Sequence, residues 1–374
     1  MRRWLITTTL NNNLLKAKLP PLLAALPDLE ITFVSDRVGP PMERVNWVVP
    51  PVWLRKLTGR LISRELTLWK EISRREIERV MVYNAVPHLM LAYPPAKFFK
   101  KKLDLHLIAG RLDLDFAGRP EVMVNRYVRK LNNPKWIENR VRKIALGYCD
   151  RLFVPGCRAR DFLLAQGVPL EKIVSIHSAV DPEVFCPDGR ARDIDVLVIA
   201  NLQKRKRPEL TVQILEGVLA KKPEAKFAWI GDGHLRDEVK RMVNASPIRN
   251  AVEMVGHTDD VLIYDRRSKV YLLNSISEGL SCATMEAMAA GVVPVTSDAG
   301  DMAEVVRTGE TGELILDDEN PTAYADAILR LLSDEATRLK YAAAGRELVV
   351  AEHSFEAMAK AWRELENLPP LPPR

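Results

Sequence analysis

The chain lacks the long apolar segment that a membrane-spanning helix needs. No run in its 374 residues approaches the roughly 18 apolar residues of a transmembrane span. Its N-terminus turns polar at Thr7–Thr9 and so has no apolar centre of the kind found in signal peptides. Its four cysteines, Cys149, Cys157, Cys186 and Cys282, show no metal-binding spacing and indicate reduced thiols. These absences predict a cytoplasmic protein.

Several familiar catalytic signatures are also missing. No Ser-His-Asp or Cys-His nucleophile arrangement stands out. Gly231 and Gly233 begin a dinucleotide-binding fingerprint, but its third glycine is absent. Asp113 and Asp115 have the spacing of a metal-chelating acid pair, which is common by chance, and we interpret them as structural. The sequence therefore predicts no metal site.

Charge is divided unevenly along the chain. Residues 1–187 carry 31 Lys and Arg against 18 Asp and Glu, while residues 188–374 carry 24 against 31. The net charge of +6 conceals this asymmetry. A basic first half predicts an anionic partner for that half.

The second half alternates strand and helix patterns, which predicts a parallel sheet with helices on both faces. Ligands of such sheets gather at the carboxyl ends of the strands. The predicted strands are Asp195–Ala200, Lys226–Ile230, Val252–Val255, Lys269–Leu273 and Val292–Thr296. The predicted helices are Pro208–Ala220, His234–Val243, Tyr324–Leu332, Glu335–Glu347 and Phe355–Leu365.

The first half repeats this α/β pattern less regularly. Periodicity is lost and prolines accumulate between Val180 and Pro187. We therefore predict a first domain at 1–187, a second domain at 188–350, and a C-terminal helix and tail at 351–374 that pack back toward the first domain. The predicted strands of the first half are Arg3–Thr8, Glu30–Ser35, Val80–Asn84, Leu105–Ala109 and Arg151–Pro155.

Two glutamates, Glu278 and Glu286, are the most informative residues of the chain. The strand ending at Leu273 is followed by a Gly-containing loop and a short helix, for which Ser281 is a natural N-cap and Gly291 a natural stop. Both carboxylates then lie near the positive end of this helix, where N–H groups attract phosphate. Carboxylates accept hydrogen bonds from sugar hydroxyls. Together these groups suit a sugar nucleotide.

At this point the chain resembles a retaining glycosyltransferase of the GT-B fold, in the family usually numbered four. The similarity runs from Ser277 through Val295 and continues in Gly300–Val306 and Gly309–Gly312. The turn Gly231-Asp232-Gly233 and the strand end at His257 follow the same order. The resemblance implies two Rossmann-like domains facing a central cleft, an acceptor-binding domain at 1–187 and a nucleotide-sugar-binding domain at 188–350.

The resemblance also implies roles for individual residues. Glu278 would contact the transferred sugar and Glu286 the nucleotide ribose. Lys206 matches a lysine that clamps the diphosphate, but Asn201 stands where the family usually has an arginine, so we expect Arg205 to substitute for it. The other implied donor-binding residues are Gly279, Leu280, Ser281, Cys282, Ala283, Gly231, Gly233 and His257.

The basic run from Lys204 to Arg207 precedes Pro208, which begins a helix. Four cations at a positive helix end repel one another unless an anion binds there, so we interpret the run as a diphosphate site. A solvated basic loop is the alternative. The implied reaction retains anomeric configuration, needs no metal or cofactor, and uses the nucleotide diphosphate sugar as donor.

The first domain departs from the family. The expected Gly-rich loop is replaced by Asn11–Asn13, and asparagine tolerates the left-handed backbone of such a turn. The usual histidine after the fourth predicted strand is absent. His106 is interpreted as a core residue, and Arg111 or Asp113 is expected to reach the reaction site in place of the absent histidine. These departures leave open a catalytically silent scaffold of the same fold.

Amphipathic basic segments occur in the first half, at Trp53–Arg64, Phe98–Lys102 and Arg126–Lys143. Such segments suit an anionic membrane surface, and so a peripheral enzyme at the inner face of the membrane with a glycan or lipid-linked acceptor. Core-facing helices with solvated basic faces are the alternative. A nucleic-acid-binding role explains the charge but not the paired glutamates, so no nucleic acid is expected as a partner.

Overall fold

The computed structural model describes residues 1–117, Val128 and 134–368. The chain divides into two compact α/β units. The first contains Met1–Ser178 and Met358–Arg374, and the second contains Ala179–Ala357. The division lies upstream of residue 187, and the domain functions expected from the sequence stay predictions. Within the described residues, no helix has both the length and the apolar character that crossing a bilayer requires.

The first unit is built on a seven-stranded parallel sheet of order β3-β2-β1-β4-β5-β6-β7. Its strands are β1 Arg2–Thr7, β2 Leu29–Val34, β3 Val45–Val48, β4 Arg79–Tyr83, β5 Lys102–His106, β6 Arg151–Phe153 and β7 Ile173–Val174. Its described helices include α1 Asn12–Ala25, α2 Val52–Ile72, α3 Met90–Phe98, α4 Lys135–Tyr148 and α5 Cys157–Ala165.

The second unit has a six-stranded parallel sheet of order β10-β9-β8-β11-β12-β13. Its strands are β8 Ile194–Ile199, β9 Phe227–Ile230, β10 Val252–Gly256, β11 Ser268–Leu273, β12 Val293–Ser297 and β13 Glu313–Ile315. Its helices include α6 Pro208–Lys221, α7 Arg236–Ala245, α8 Val261–Arg267, α9 Cys282–Ala289, α10 Pro321–Ser333 and α11 Glu335–His353. The last helix, α12, spans Phe355–Leu365, and from Met358 onward it belongs to the first unit.

Continuous apolar character explains why β8 and β11 lie at the centre of the second sheet. A parallel strand covered by helices on both faces is buried on both sides, so it needs apolar residues at successive positions. Val270 in β11 pairs with Val196 on one side and with Val293 on the other, and all three are fully buried. The parallel sheet that the alternating strand and helix patterns of this half predict is confirmed.

The prediction of a turn with left-handed backbone angles at Asn11–Asn13 is wrong. Asn11 has extended backbone angles (φ −73°, ψ 168°), and its side chain accepts a hydrogen bond from the N–H of Leu14 at 2.9 Å. Asn12 and Asn13 form the first turn of α1. Asparagine is among the best helix N-caps, and that property, not tolerance of left-handed angles, decides the local structure.

The strand predicted at Leu105–Ala109 is shifted. β5 starts earlier, at Lys102, and ends at His106, and Ala109 precedes a 3-10 turn at Gly110–Asp113. His106 is buried, with its ring stacked on Phe153 at a centroid distance of 3.9 Å. The interpretation of His106 as a core histidine is confirmed.

Candidate functional site

The order of the second sheet reverses between β8 and β11, which are adjacent in the sheet but distant in sequence. In open α/β sheets, ligands bind outside the carboxyl ends of the strands at such a switch point. The loop 201–207 follows β8 and the loop 274–281 follows β11. These are the loops that carry the basic run and Glu278.

The local structure around the two glutamates matches the sequence prediction. The hydroxyl of Ser281 accepts a hydrogen bond from the N–H of Thr284 at 3.3 Å and so caps α9. The helix ends at Ala289, and Gly291 has the left-handed φ of 77°. Glu286 therefore lies within α9, while Glu278 lies in the loop before it.

An ion-pair cluster joins the two loops across the switch point. Lys206 Nζ donates to Glu278 Oε1 at 2.5 Å, and Arg205 Nη1 lies 3.2 Å from the same oxygen. Arg205 also donates to the carbonyl of Ser277. All three charged side chains are mostly buried, with 11–18% of their surface exposed. The structure thus brings the predicted sugar-binding carboxylate together with the predicted phosphate-binding cations.

The cluster fixes its own charge state. Burial acts to raise the pKa of Glu278, but Lys206 and then Arg205 outweigh it and hold the pKa at about 2. Burial lowers the pKa of Lys206, and the adjacent Arg205 adds to that effect, while Glu278 opposes both. The carboxylate stays ionised throughout the physiological pH range.

The rest of the basic run has a different role. Arg207, in the left-handed region at φ 45°, donates to the carbonyl of Asn274 and to the carboxylate of Asp318, each at 2.7 Å. Lys204 is exposed. Arg207 therefore braces the loop after β11, and the run is not a solvated basic loop.

A glycine from the loop after β12 holds Glu278 in place. Gly300 has φ +61°, and a Cβ built there would lie 2.0 Å from the carbonyl oxygen of Glu278. The N–H of Asp301 donates to the carbonyl of Gly279 at 3.0 Å. Leu280 is buried, and Cys282 and Ala283 form the first turn of α9, where the helix dipole favours anions. The backbone from Glu278 to Gly279 is thus packed directly against Gly300.

The loops after β8, β9 and β10 collect the other predicted donor-binding residues. A Cβ at Gly231 would lie 1.8 Å from the carbonyl oxygen of Ala200, and one at Gly233 would lie 2.7 Å from the side-chain oxygen of Asn201. These glycines therefore let two loops approach closely. His257 follows β10 at the same carboxyl edge and is exposed.

Glu286 shares its surroundings with a second acid, Asp265 of α8. Burial raises the pKa of Glu286 to about 7. Burial, and then the charge of Glu286, raise the pKa of Asp265 well above its usual value, and Arg192 opposes the shift. Helix α9 therefore carries a carboxyl group, that of Glu286, which changes its charge near neutral pH.

Sequence reasoning missed a polar network at the switch point of the first sheet, between β1 and β4. The Thr9 hydroxyl lies 3.1 Å from His88 Nε2, and His88 Nδ1 lies 2.9 Å from Arg64 Nη1. Arg64 Nη2 is 2.5 Å from a carboxylate oxygen of Asp36. Their positions in the sequence could have indicated this network, because Thr9, Asp36 and His88 each follow the end of a strand.

Chemistry fixes the direction of this network. Arginine only donates, so His88 Nδ1 must accept and His88 Nε2–H must donate to Thr9. Burial lowers the pKa of His88 to about 3, with Arg64 adding to the effect, so the ring is neutral at physiological pH. The exposed Thr9 hydroxyl accepts from His88 and keeps its own proton to donate.

The other predicted cleft residues of the first unit mostly make hydrogen bonds within their own loops or helices. The Asp113 carboxylate accepts hydrogen bonds from the backbone N–H groups of Ile108 at 2.5 Å and Ala109 at 2.9 Å, on its own loop. Asn11 is engaged as the cap of α1. Arg111 is exposed in the 3-10 turn. These contacts favour structural roles for Asn11 and Asp113.

Comparison with known proteins gives matches over both units. Residues 188–348 match the family described as glycosyl transferases group 1. N-acetyl-alpha-D-glucosaminyl L-malate synthase of Bacillus anthracis is 23% identical over 356 residues, which is 90% of this chain and 88% of that protein. The GDP-mannose-dependent alpha-(1-6)-phosphatidylinositol monomannoside mannosyltransferase of Mycobacterium tuberculosis (strain CDC 1551 / Oshkosh) is 25% identical over 239 residues, 59% of this chain and 62% of that protein.

The crystal structure of Anabaena Alr3699/HepE in complex with UDP superposes with a TM-score of 0.75 and 13% identity. The match covers 98% of this chain and 100% of that one. At this identity the likeness shows the fold. The expected α/β class, with two Rossmann-like domains of the GT-B type, is confirmed.

Proposed function

We propose that this chain, whose residues 188–348 match the family described as glycosyl transferases group 1, transfers a hexose-type sugar from a nucleotide diphosphate sugar to a hydroxyl acceptor with retention of configuration. The observation that supports this proposal is the contact of Lys206 and Arg205 with Glu278 across the switch point. A nucleotide sugar requires cations for its diphosphate and a hydrogen-bond acceptor for its sugar hydroxyls at one site.

Donor binding separates the roles of these residues. The side chains of Lys206 and Arg205 pair with the negatively charged diphosphate. The Glu278 carboxylate accepts hydrogen bonds from the sugar hydroxyls. As the sugar leaves, fixed cations and helix-end N–H groups stabilise the charge that develops on the diphosphate. Glu286 holds the ribose. The proposed reaction uses no enzymic nucleophile, metal or cofactor.

The acceptor is proposed by class only. The relatives above are named for different acceptors, malate in one and a phosphatidylinositol mannoside in the other. For this chain we propose a glycan or lipid-linked hydroxyl acceptor, bound by the first unit.

A thermal-shift screen with uridine, guanosine and adenosine diphosphate sugars tests the donor assignment. A donor present at about 100 times its Kd stabilises the folded protein by about 2.7 kcal/mol, which raises Tm by several degrees. We expect one nucleotide class to do so, and the shift to persist with a chelator. No shift with any donor, together with no donor hydrolysis, would contradict the proposal.

A catalytically silent scaffold is the second candidate, favoured by Asn201 standing where the family has an arginine. Such a scaffold would show the thermal shift but neither donor hydrolysis nor transfer. Measuring both quantities on one preparation distinguishes the two functions.

Donor affinity should increase as the pH rises through about 7. The Glu286 carboxylate accepts hydrogen bonds from ribose hydroxyls, and its protonated form loses accepting capacity. Below its pKa of about 7, affinity should fall by up to about tenfold per pH unit. Titration calorimetry between pH 6 and 8 measures this slope, and Glu286→Gln should flatten it. An unchanged slope in that variant would assign the titration to another group.

The same pKa shift makes a stability prediction of defined sign. Because the folded pKa of Glu286 is raised, its contribution to stability is fully present below the unfolded value near 4.5 and is lost as pH rises through about 7. Without donor, Tm of the wild-type protein should therefore fall across this range more than Tm of Glu286→Gln.

We propose that Thr9 donates a hydrogen bond to substrate at the first unit. Thr9→Val removes the hydroxyl and keeps the shape, and we expect kcat/KM of transfer to fall about tenfold, as for one lost hydrogen bond. Thr9→Ser should retain activity. Thr9→Val also leaves the buried N–H of His88 without its acceptor, so its Tm should fall, and Thr9→Ser, which keeps both hydrogen bonds, is the control. Equal transfer by the valine and serine variants would show that the hydroxyl has no role.

A further inference from the structure

Helix α2 is kinked at Gly59, whose φ of 77° and ψ of 175° are not helical, so it consists of a segment before Gly59 and a segment after it. The second segment is amphipathic in the reverse of the usual sense, with mostly polar buried positions, and large apolar residues of both segments face solvent. Trp53 is 65% exposed and Leu57 is 75% exposed. The buried residues are Ser63, Arg64, Thr67, Leu68, Glu71 and Ile72. The exposed apolar residues, which we call the α2 face, are Val52, Trp53, Leu57, Leu61, Ile62 and Leu66.

The polar side of α2 has its own partners inside the unit. Arg64 contacts Asp36 and His88, and Glu71 pairs with Arg74 at 3.0 Å. The Thr67 hydroxyl donates to the carbonyl of Ser63 at 2.8 Å. The contacts of Arg64 hold the polar side of the segment after Gly59 inward, so Leu61, Ile62 and Leu66 of that segment face outward. Surface helices of globular proteins normally bury the apolar stripe, and large apolar residues gathered at an exposed surface indicate an interaction site.

Cations surround the α2 face. Lys56 and Lys70 are exposed on α2, Arg60 is exposed and pairs with Asp36 at 2.7 Å, and Arg55 donates to the carbonyl of Asp36, a contact that leaves its charge in place. The acids of α2 are fewer: Glu71 is paired with Arg74, and Glu65 is the other. The partner of this face should therefore be apolar and negatively charged.

An aromatic group continues the face at the far end of α2. Trp69 lies 5.6 Å from Phe98 between ring centroids, and Phe98 is 70% exposed. Lys97 and Lys100 are exposed on either side of Phe98. Tryptophan and phenylalanine beside lysine are typical of segments that lie in a membrane interface. The third basic segment predicted from the sequence, Arg126–Lys143, lies partly outside the described residues.

We propose that the α2 face docks on an anionic lipid bilayer. Its apolar side chains enter the boundary between headgroups and acyl chains, and its cations meet the negative lipid headgroups. A second copy of the chain fits less well, because two faces rimmed by cations would repel each other. An enzyme held in this way meets lipid-linked acceptors at the bilayer surface, but docking itself does not depend on the proposed transfer reaction.

Vesicle flotation tests the proposal with the full chain. We expect the wild-type protein to float with phosphatidylcholine vesicles that contain roughly 30% phosphatidylglycerol, to bind pure phosphatidylcholine weakly, and to be released by about 0.5 M NaCl. The triple variant Trp53→Gln, Leu57→Gln, Ile62→Gln should lose about tenfold or more of the binding. The double variant Lys56→Gln, Lys70→Gln should lose about fivefold for each cation.

A control variant in the second unit separates docking through α2 from general surface stickiness. Leu316→Gln with Leu339→Gln removes apolar residues that are 78% and 53% exposed there, and vesicle binding should be unchanged. Tm and donor hydrolysis of the triple variant should equal those of the wild-type protein. Absence of wild-type binding, equal loss in the control, or a dimer in light scattering that the triple variant dissociates would each overturn the proposal.

Discussion

Replacing Lys206 by methionine should lower kcat/KM for sugar transfer by about 10³-fold, while the protein stays folded. Methionine fills the same volume but removes the charge that, in the proposed mechanism, stabilises the departing diphosphate. The loss should appear with any donor that the screen identifies. Steady-state transfer rates together with circular dichroism measure the two parts of this prediction.

Lys221→Met is the matched control for Lys206→Met. Lys221 lies at the end of α6 in the same unit and pairs with Asp326 at 2.9 Å, and its side chain is exposed. Its replacement should leave transfer unchanged because a surface ion pair of this kind has little energetic effect. Full activity in Lys206→Met would remove the basis of the proposed donor site.

Glu278→Gln should abolish transfer but leave nucleoside diphosphate binding as tight as in the wild-type protein, or tighter. Without donor, Glu278 compensates Lys206 and Arg205, so it competes with the diphosphate for the same cations. Removing its charge leaves two mostly buried cations without a counterion, which destabilises the unliganded protein. A bound diphosphate should restore that stability, as calorimetry with UDP, GDP and ADP can show.

A large effect on both binding and stability is expected for Gly300→Ala, which should abolish donor binding and lower the free energy of unfolding by about 3 kcal/mol or more. The new Cβ would lie 2.0 Å from the carbonyl oxygen of Glu278 and 2.9 Å from that of Gly279. Backbone atoms cannot yield as a side chain does, so the loop that carries Glu278 must move.

Gly309→Ala is the control that distinguishes the steric clash with the Glu278 carbonyl from the strain of a left-handed backbone. Gly309 also has a left-handed φ, +84°, but the nearest atom to its Cβ would be the Tyr341 hydroxyl at 3.9 Å. We expect this variant to lose about 1 kcal/mol of stability and to keep its donor affinity. Equal effects in both variants, measured by denaturant unfolding and donor titration, would show that Gly300 does not position Glu278.

The arrangement of Lys206, Arg205 and Glu278 also explains how the proposed donor site stays folded without its charged ligand. Cations gathered for a diphosphate repel each other when no anion is present. Here the carboxylate proposed for the sugar neutralises them, and the pKa of Glu278 near 2 keeps it available to do so at any physiological pH.

Local sequence patterns were enough to predict the strands and helices of the second unit and the loops that carry the basic run and Glu278. Strand and helix periods, the Ser281 cap and the Gly291 stop depend on a few neighbouring residues, and each was confirmed. The first unit was harder to predict because helix propensity and capping compete with turn formation, as at Asn11.

Long-range packing, in contrast, set which side of α2 is buried and which residues meet at the first switch point. Apolar spacing along α2 favours an inward apolar face, yet the contacts of Arg64 with Asp36 and His88 turn that face to solvent. These partners are separated by 24 to 28 residues. Only the parallel order of β2, β1 and β4 brings their strand ends together, and no local pattern encodes that order.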